Sequence, residues 1–150
     1  MKRNKGPRLH GVRSLKTLPG ERVGGLTMRL LPVPREPYRV SLLHEKLAPF
    51  STTPAIYHKL TTEFAFILKG RATVRLDGRR IPIKAGDIFE IPAGTEHQFV
   101  TKKEGVEAIS LFSPPLDPEN NDAHPGKDPK TGLRFPKRAL TRQKLPGGPR

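Results

Sequence analysis

The sequence predicts an all-β fold, and three observations carry that prediction. Gly70, Gly78, Gly86 and Gly94 recur eight residues apart, with short apolar runs at 64–68, 72–76, 81–83 and 88–91 between them. Turn signals about every 8–12 residues around short β-rich runs point to a sandwich or barrel. Ala72, Val74 and Leu76 alternate with Arg71, Thr73 and Arg75, a period of two that puts one face in the core and one in water. No stretch long enough for a helix carries the helical apolar period.

Each element follows from the same reasoning. Residues 40–47 and 106–112 read as strands, one on either side of the glycine-spaced runs. Asp77-Gly78 is a two-residue hairpin signal, because a type I′ turn needs positive φ at both central positions. Gly70 is expected to separate the runs 64–68 and 72–76 into two strands. Leu26, Met28 and Leu30 alternate in a further strand. Ser113-Pro114-Pro115 ends the pattern, since consecutive prolines cannot continue a central strand. The all-β body therefore covers about residues 38–113, and the chain after it reads as loop and tail.

The chain has 150 residues, the size of one ordinary domain, and no cysteine. Disulfides, thiolate zinc sites and a thiol nucleophile are excluded, and a reducing cytoplasm is the expected location. The net charge of +14 first suggests a nucleic-acid binder, but it sits at the ends. Residues 1–40 carry ten basic and two acidic residues, residues 124–150 eight and one, and residues 41–123 ten and eleven. Five prolines lie in 1–40 and eight in 114–150, against four between. Proline-rich, charged, apolar-poor segments bury too little to offset ordering entropy. The expected organisation is a basic extension over 1–22, a barrel domain over 23–118 and a basic tail over 119–150, with the extensions disordered. These ends lack interleaved aromatics or a recognisable motif, so a solubilising role is preferred over nucleic-acid contact. Arg8, Arg13, Lys16 and Arg22 interrupt any leader-like apolar stretch, and no apolar run approaches the ~20 residues of a membrane span.

Two of the five histidines have informative surroundings. His58 precedes Glu63 by five residues, and His97 closes the run Pro92-Ala93-Gly94-Thr95-Glu96-His97. An odd separation puts two residues of a straight strand on opposite faces. His58 and Glu63 can share an interior only if the backbone turns between them, and the polar segment 59–62 suits such a turn. Glu63 then leads an otherwise apolar strand, where a carboxylate is costly unless it is paired or bound to a cation. Two imidazoles and one carboxylate with open positions form the facial triad of non-haem Fe(II) oxygenases, and would equally suit catalytic zinc. A site without metal, in which His58 and Glu63 bond each other, is the alternative. His44, on an early strand, reads as packed or exposed, and His124 as a loop residue.

The body resembles the cupin superfamily of small β-barrels. That family's first motif runs Gly, five residues, His-x-His, three or four residues, Glu, six residues, Gly. Here Phe50 stands at the first Gly and Ile56 at the first His, followed by His58, Glu63 and Gly70 in register. The second motif runs Gly, five residues, Pro-x-Gly, two residues, His, three residues, Asn. Gly86, Pro92, Gly94 and His97 match it, with Thr101 in place of Asn. The resemblance covers about residues 39–118. It implies a single jelly-roll-like cupin barrel with a divalent metal, Fe, Mn, Ni or Zn, on His58, Glu63 and His97.

Strand parity adds a pocket lining of Ile56, Ala65, Ile67, Phe99 and Phe112. The expected activity is on a small organic molecule, as a dioxygenase, isomerase or decarboxylase, with Glu63 doubling as a catalytic proton carrier if no metal binds. A non-catalytic binding or sensing role is the alternative. Tyr57 should point away from the site. Phe64, Phe66 and Leu68 should face outward, to be covered by the strand of Leu26, Met28 and Leu30 or by the second subunit of a homodimer.

Overall fold

The computed structural model describes residues 12–117 and 122–126. Those residues form ten antiparallel strands and a single 3-10 turn, with no α-helix. The strands are β1 (Glu21–Val23), β2 (Leu26–Leu30), β3 (Ser41–Leu47), β4 (Ile56–His58), β5 (Thr62–Leu76), β6 (Arg79–Lys84), β7 (Ile88–Ile91), β8 (His97–Val100), β9 (Val106–Ser113) and β10 (Ala123–Pro125). Their order across the curled sheet is β1-β2-β3-β9-β5-β8-β4-β10, with β6 and β7 also on β5.

β5 is the strand on which the barrel turns. Its first part pairs with β9 and β7, and its second part with β8 and β6. The expectation that Gly70 separates two strands is corrected here: the strand runs through it. The register against β9 slips between Ile67 and Lys69. A β-bulge inserts one residue and bends the strand, so the inward set changes from Glu63, Ala65 and Ile67 to Ala72, Val74 and Leu76. Gly70 is the residue that allows this, at φ +79°, with the backbone of Gly105 where a Cβ would stand. The Asp77-Gly78 turn behaves as read, with φ of +46° and +82° and β6 returning along β5.

The core lies inside the curl, where Leu26, Met28, Leu43, Leu47, Ile67, Val74, Val106, Ala108 and Phe112 pack together. That placement corrects a second expectation. β2 pairs with β3 and turns Leu26 and Met28 inward, so they do not cover the outer row. Phe64 and Phe66 remain 40% and 43% exposed on the outer face. The segment after Phe112 also differs from its reading as plain loop and tail, because β10 forms a strand on the edge of β4. The disorder expected over 1–22 and 119–150 falls on 1–11, 119–121 and 127–150, which lie outside the described residues, as does residue 118. Residues 12–22, however, carry the 3-10 turn Leu15–Thr17 and the start of β1, and 122–126 carry β10.

Two departures from the motif have local structural explanations. Phe50 occupies the left-handed region at φ +51°, a conformation glycine adopts without strain. Thr101 is buried, accepts from the Ser51 N–H at 2.9 Å and donates to the Ala48 carbonyl at 2.6 Å. It therefore ties down the loop leading to β4.

Gly70→Ala should destabilise the domain by more than about 2 kcal/mol, combining left-handed strain with a backbone clash. Urea denaturation measures it. A midpoint equal to that of the unaltered protein would mean that the bulge does not need glycine.

Candidate metal centre

β4 ends at His58, the chain bends through Lys59, Leu60 and Thr61, and β5 brings Glu63 back toward the interior. The five-residue separation thus converges through a turn, as the parity argument required. β8 begins at His97, immediately after the loop Pro92–Glu96 in which Gly94 takes φ +83° and donates its N–H to the His58 carbonyl. His58, Glu63 and His97 are all buried, and each offers a ligand atom within 4.8 Å of the others. His97 Nε2 lies 3.4 Å and His58 Nε2 3.7 Å from the same carboxylate oxygen, Glu63 Oε2.

These distances are long for good hydrogen bonds. They lie near the spacing of donors around one small ion, since ligands held at ~2.1 Å from a metal stand roughly 3.0–3.5 Å apart, and the 3.7 Å pair would close slightly on binding. The His97 ring is set for that use. Its Nδ1 donates to the Thr95 carbonyl at 3.0 Å, which leaves Nε2 as the ring nitrogen that faces Glu63. Orienting a ligating imidazole through its other nitrogen is the usual support in metal sites. His58 is held by ring packing instead, 5.6 Å and edge-on from Phe112 and 5.3 Å from His97. Its Nδ1 is buried with no hydrogen-bond partner among the described residues. The donor set therefore fits a divalent ion, and three protein ligands leave positions for water or substrate.

Electrostatics agree. Burial alone would raise the Glu63 carboxyl, but hydrogen bonding to His58 and His97 and their charges hold it far below the usual carboxylate range. Burial would lower His97, and the Glu63 carboxylate overrides it and raises the imidazole. The pocket thus keeps an ionised carboxylate in an apolar interior, compensated only by protons or by a cation.

The triad opens on a cavity of about 70 Å³. A single water needs roughly 10–15 Å³, so a small molecule fits. Ile56, Ala65, Ile67, Phe99 and Phe112 all line it. Tyr57 points away and stacks on His124, with ring centroids 5.3 Å apart. His44 is also outside the site, buried and bonded to Glu107 at 2.8 Å.

Sequence reasoning missed two residues. Glu45 lines the cavity from β3 and accepts from the Ser110 hydroxyl at 3.0 Å. The signal was available, since Glu45 shares parity with the buried Leu43 and Leu47. Burial, reinforced by the Glu63 charge, pushes its carboxyl up to about 8. Asp122 was the second. Its carboxylate accepts from the Lys59, Leu60 and Thr61 N–H groups at 3.0, 2.8 and 3.0 Å. Nothing local in the sequence connects residues more than 60 positions apart.

Comparison with known proteins places this geometry. Residues 43–112 match the Cupin domain family. A polyketide synthase protein, CurC of Streptomyces cyaneus, is 29% identical over 68 residues, 45% of this chain and 44% of its own. The chain thus matches less than half the length of that relative. KdgF from Halomonas superposes with a TM-score of 0.63 at 19% identity, over 71% of this chain and 96% of KdgF. Streptomyces PAC13, solved with uridine, gives 0.63 at 11% identity, over 76% and 88%. A sugar phosphate isomerase of the cupin superfamily from Silicibacter pomeroyi gives 0.60 at 19% identity, over 72% and 77%. At these identities the likeness to solved structures is one of fold.

A carboxyl raised in the folded state contributes stability below its ordinary value and loses it as pH rises through the folded value. In metal-free protein the Glu45 contribution should therefore fade between pH 4.5 and about 8. Thermal melts of wild type and Glu45→Gln at pH 5 and pH 8.5 test this. Wild type should lose more stability than the variant over that interval, and parallel losses would remove Glu45 as the cause.

Proposed function

We propose, from the premise that residues 43–112 are a cupin domain, that this protein holds one divalent metal ion on His58, Glu63 and His97 and acts on a small organic molecule in the adjoining cavity. The observation that carries the proposal is the shared oxygen. Two imidazole Nε2 atoms, one fixed by the Thr95 carbonyl, face Glu63 Oε2 at 3.4 and 3.7 Å in a buried pocket. Fe, Mn, Ni and Zn all accept such donors. Bound there, the ion would supply Lewis acidity, polarising an oxygen of the substrate.

The chain's own residues supply the rest. Ile56, Phe99 and Phe112 confine the substrate and keep bulk water out. Glu45 offers a carboxyl beside the site, raised by burial toward neutral pH, where general acid–base catalysis is most effective. With no metal bound, Glu63 would be a weak base, because His58 and His97 hold its carboxyl far below the usual range, and Glu45 is the better proton carrier. Solved relatives of the fold support a small oxygen-rich ligand, because PAC13 is described as a nucleoside dehydratase and another as a sugar phosphate isomerase. A binding or sensing role is the second reading, favoured by a cavity wall that is apolar apart from Glu45, Thr53 and the triad.

A homodimer is part of the proposal. Phe64, Phe66 and Ile88 are 40%, 43% and 68% exposed and adjacent on the outer face of β5 and β7. A contiguous apolar patch of this kind marks an interaction surface. The cytoplasmic location rests on the absence of cysteine, and no helix among the described residues is long and apolar enough to cross a membrane.

Elemental analysis should find about one metal per chain. His58→Ala, Glu63→Ala or His97→Ala should each remove most of it, while His44→Ala should not. Full occupancy in both histidine variants of the triad would overturn the site. Ile56 is buried with its Cα opposite His97, at the position where the motif has a histidine. Ile56→His should tighten metal binding by at least about tenfold in chelator competition, since outer partners alone change it by about 10–100-fold. Equal affinities in two folded proteins would mean that residue 56 does not reach the ion. Phe66→Glu should shift a dimer to monomer in analytical ultracentrifugation, and an unchanged mass would place the interface elsewhere.

A further inference from the structure

The strand that carries His58 is weakly held by the barrel itself. β4 is three residues long and meets β8 at one register pair, Ile56 with His97. Its other edge is taken by β10, which pairs Ala123 with His58, His124 with Tyr57 and Pro125 with Ile56. β10 therefore supplies most of the cross-strand pairing that β4 has. Around it, the Gly126 N–H donates to the Ala55 carbonyl at 2.8 Å, the His124 ring stacks on Tyr57, and Ala123 lines the cavity.

Immediately before β10, Asp122 closes the turn that follows β4. One carboxylate oxygen accepts from Lys59, and the other from Leu60 and Thr61. Three consecutive N–H groups converging on one carboxylate fix the bend between His58 and Glu63. Burial would raise the Asp122 carboxyl, and those three N–H groups overcome it and keep it below its ordinary range. His124 Nε2 lies 3.4 Å from the same side chain.

We propose that residues 122–126 form a strap that assembles the triad, with Asp122 as its positioning residue: by fixing the 59–61 turn and the free edge of β4, it sets the spacing of His58 and Glu63 before any ion arrives. Asp122 is not itself a ligand. It acts through the backbone of the turn, as outer partners of metal sites do when they hold ligands in place. His58 needs such help more than His97 does. His97 is oriented by a hydrogen bond from its own ring to the Thr95 carbonyl, whereas His58 Nδ1 has no partner among the described residues. Without the strap, β4 keeps one register pair and the Gly94 N–H on the His58 carbonyl, and three turn N–H groups lose their acceptor. The expected consequence is a triad of the same composition but variable spacing, and a site that binds metal weakly while the barrel stays folded.

The inference rests on the metal proposal for its functional meaning, so the test reads the strap both with and without metal. Full-length wild type, Asp122→Ala and Asp122→Asn are compared, with Ile83→Val as a control. Ile83 is buried in the core and does not line the cavity. The first readout is hydrogen exchange at the Lys59, Leu60 and Thr61 amides in metal-free protein. The second is Co²⁺ affinity by chelator competition, together with the visible absorption of bound Co²⁺, which reports coordination geometry.

Asp122→Ala should lose protection at those three amides, bind Co²⁺ at least about tenfold more weakly and show an altered band. Asp122→Asn keeps an acceptor oxygen and should fall between the alanine variant and wild type. Ile83→Val should lower the melting temperature and leave Co²⁺ affinity and spectrum unchanged. If Asp122→Ala does not fold, Asp122→Asn carries the same readouts. Unchanged protection, or Co²⁺ affinity within about twofold of wild type in a folded variant, would overturn the strap. Wild type that binds no Co²⁺ yet shows the exchange difference would overturn the metal proposal and leave the strap's hold on the turn standing.

Discussion

The constraint on which the rest depends is the buried carboxylate of Glu63. It sits 2% exposed at the head of an apolar strand, where an ionised group is tolerated only with compensation. Compensation comes from two imidazoles drawn from different strands and aimed at one oxygen. Everything local to the site serves that convergence. A turn reverses the parity between His58 and Glu63, the Pro92–Glu96 loop delivers His97, and a backbone carbonyl fixes the ring of His97. The same three groups that solve a burial problem also make a donor set for a divalent ion. The energetic requirement and the chemistry are thus one feature.

The barrel makes the arrangement rigid. β5 spans both halves of the curled sheet, and its bulge lets one strand present Glu63, Ala65 and Ile67 inward at one end and Val74 at the other. Register is costly to shift when one face is buried, because a one-residue slip exchanges core and solvent faces. Glu63 is therefore held by the whole strand ladder. His58 is held differently, on a three-residue strand whose neighbours are one register pair and a short strand from near the end of the described chain. The ligands of one site thus rest on supports of unequal strength.

The departures from the family's motifs divide into two kinds. At positions 50 and 101, Phe50 takes the left-handed conformation and Thr101 ties down the 48–51 loop through its hydroxyl. These change how the scaffold is held and not what the site contains. At position 56 the change is chemical. Ile56 lines the cavity where the motif supplies an imidazole. An apolar side chain there leaves one more coordination position to water or substrate, and gives the cavity one more apolar wall.

The sequence by itself determined the fold class, the hairpin at Asp77-Gly78 and the grouping of His58, Glu63 and His97. The first two depend on periodicity and short spacing, which are properties of neighbouring residues, whereas the grouping of His97 with His58 and Glu63 came from the resemblance to the two cupin motifs. Parity was also enough to assign Ile56, Ala65, Ile67, Phe99 and Phe112 to one interior. Tertiary structure decided what depends on distant partners. Gly70 looked like a turn and became part of a bulge, because β9 and β6 continue the ladder on either side of it. Leu26 and Met28 looked like a cover for the outer row and became core, because pairing with β3 fixed which way β2 faces. Parity with Leu43 and Leu47 was enough to turn Glu45 inward, but its altered acidity comes from burial among strands far along the chain and from the Glu63 charge, which only folding brings beside it. Asp122 met the 59–61 turn across more than sixty residues, and only folding brings that carboxylate to those three N–H groups.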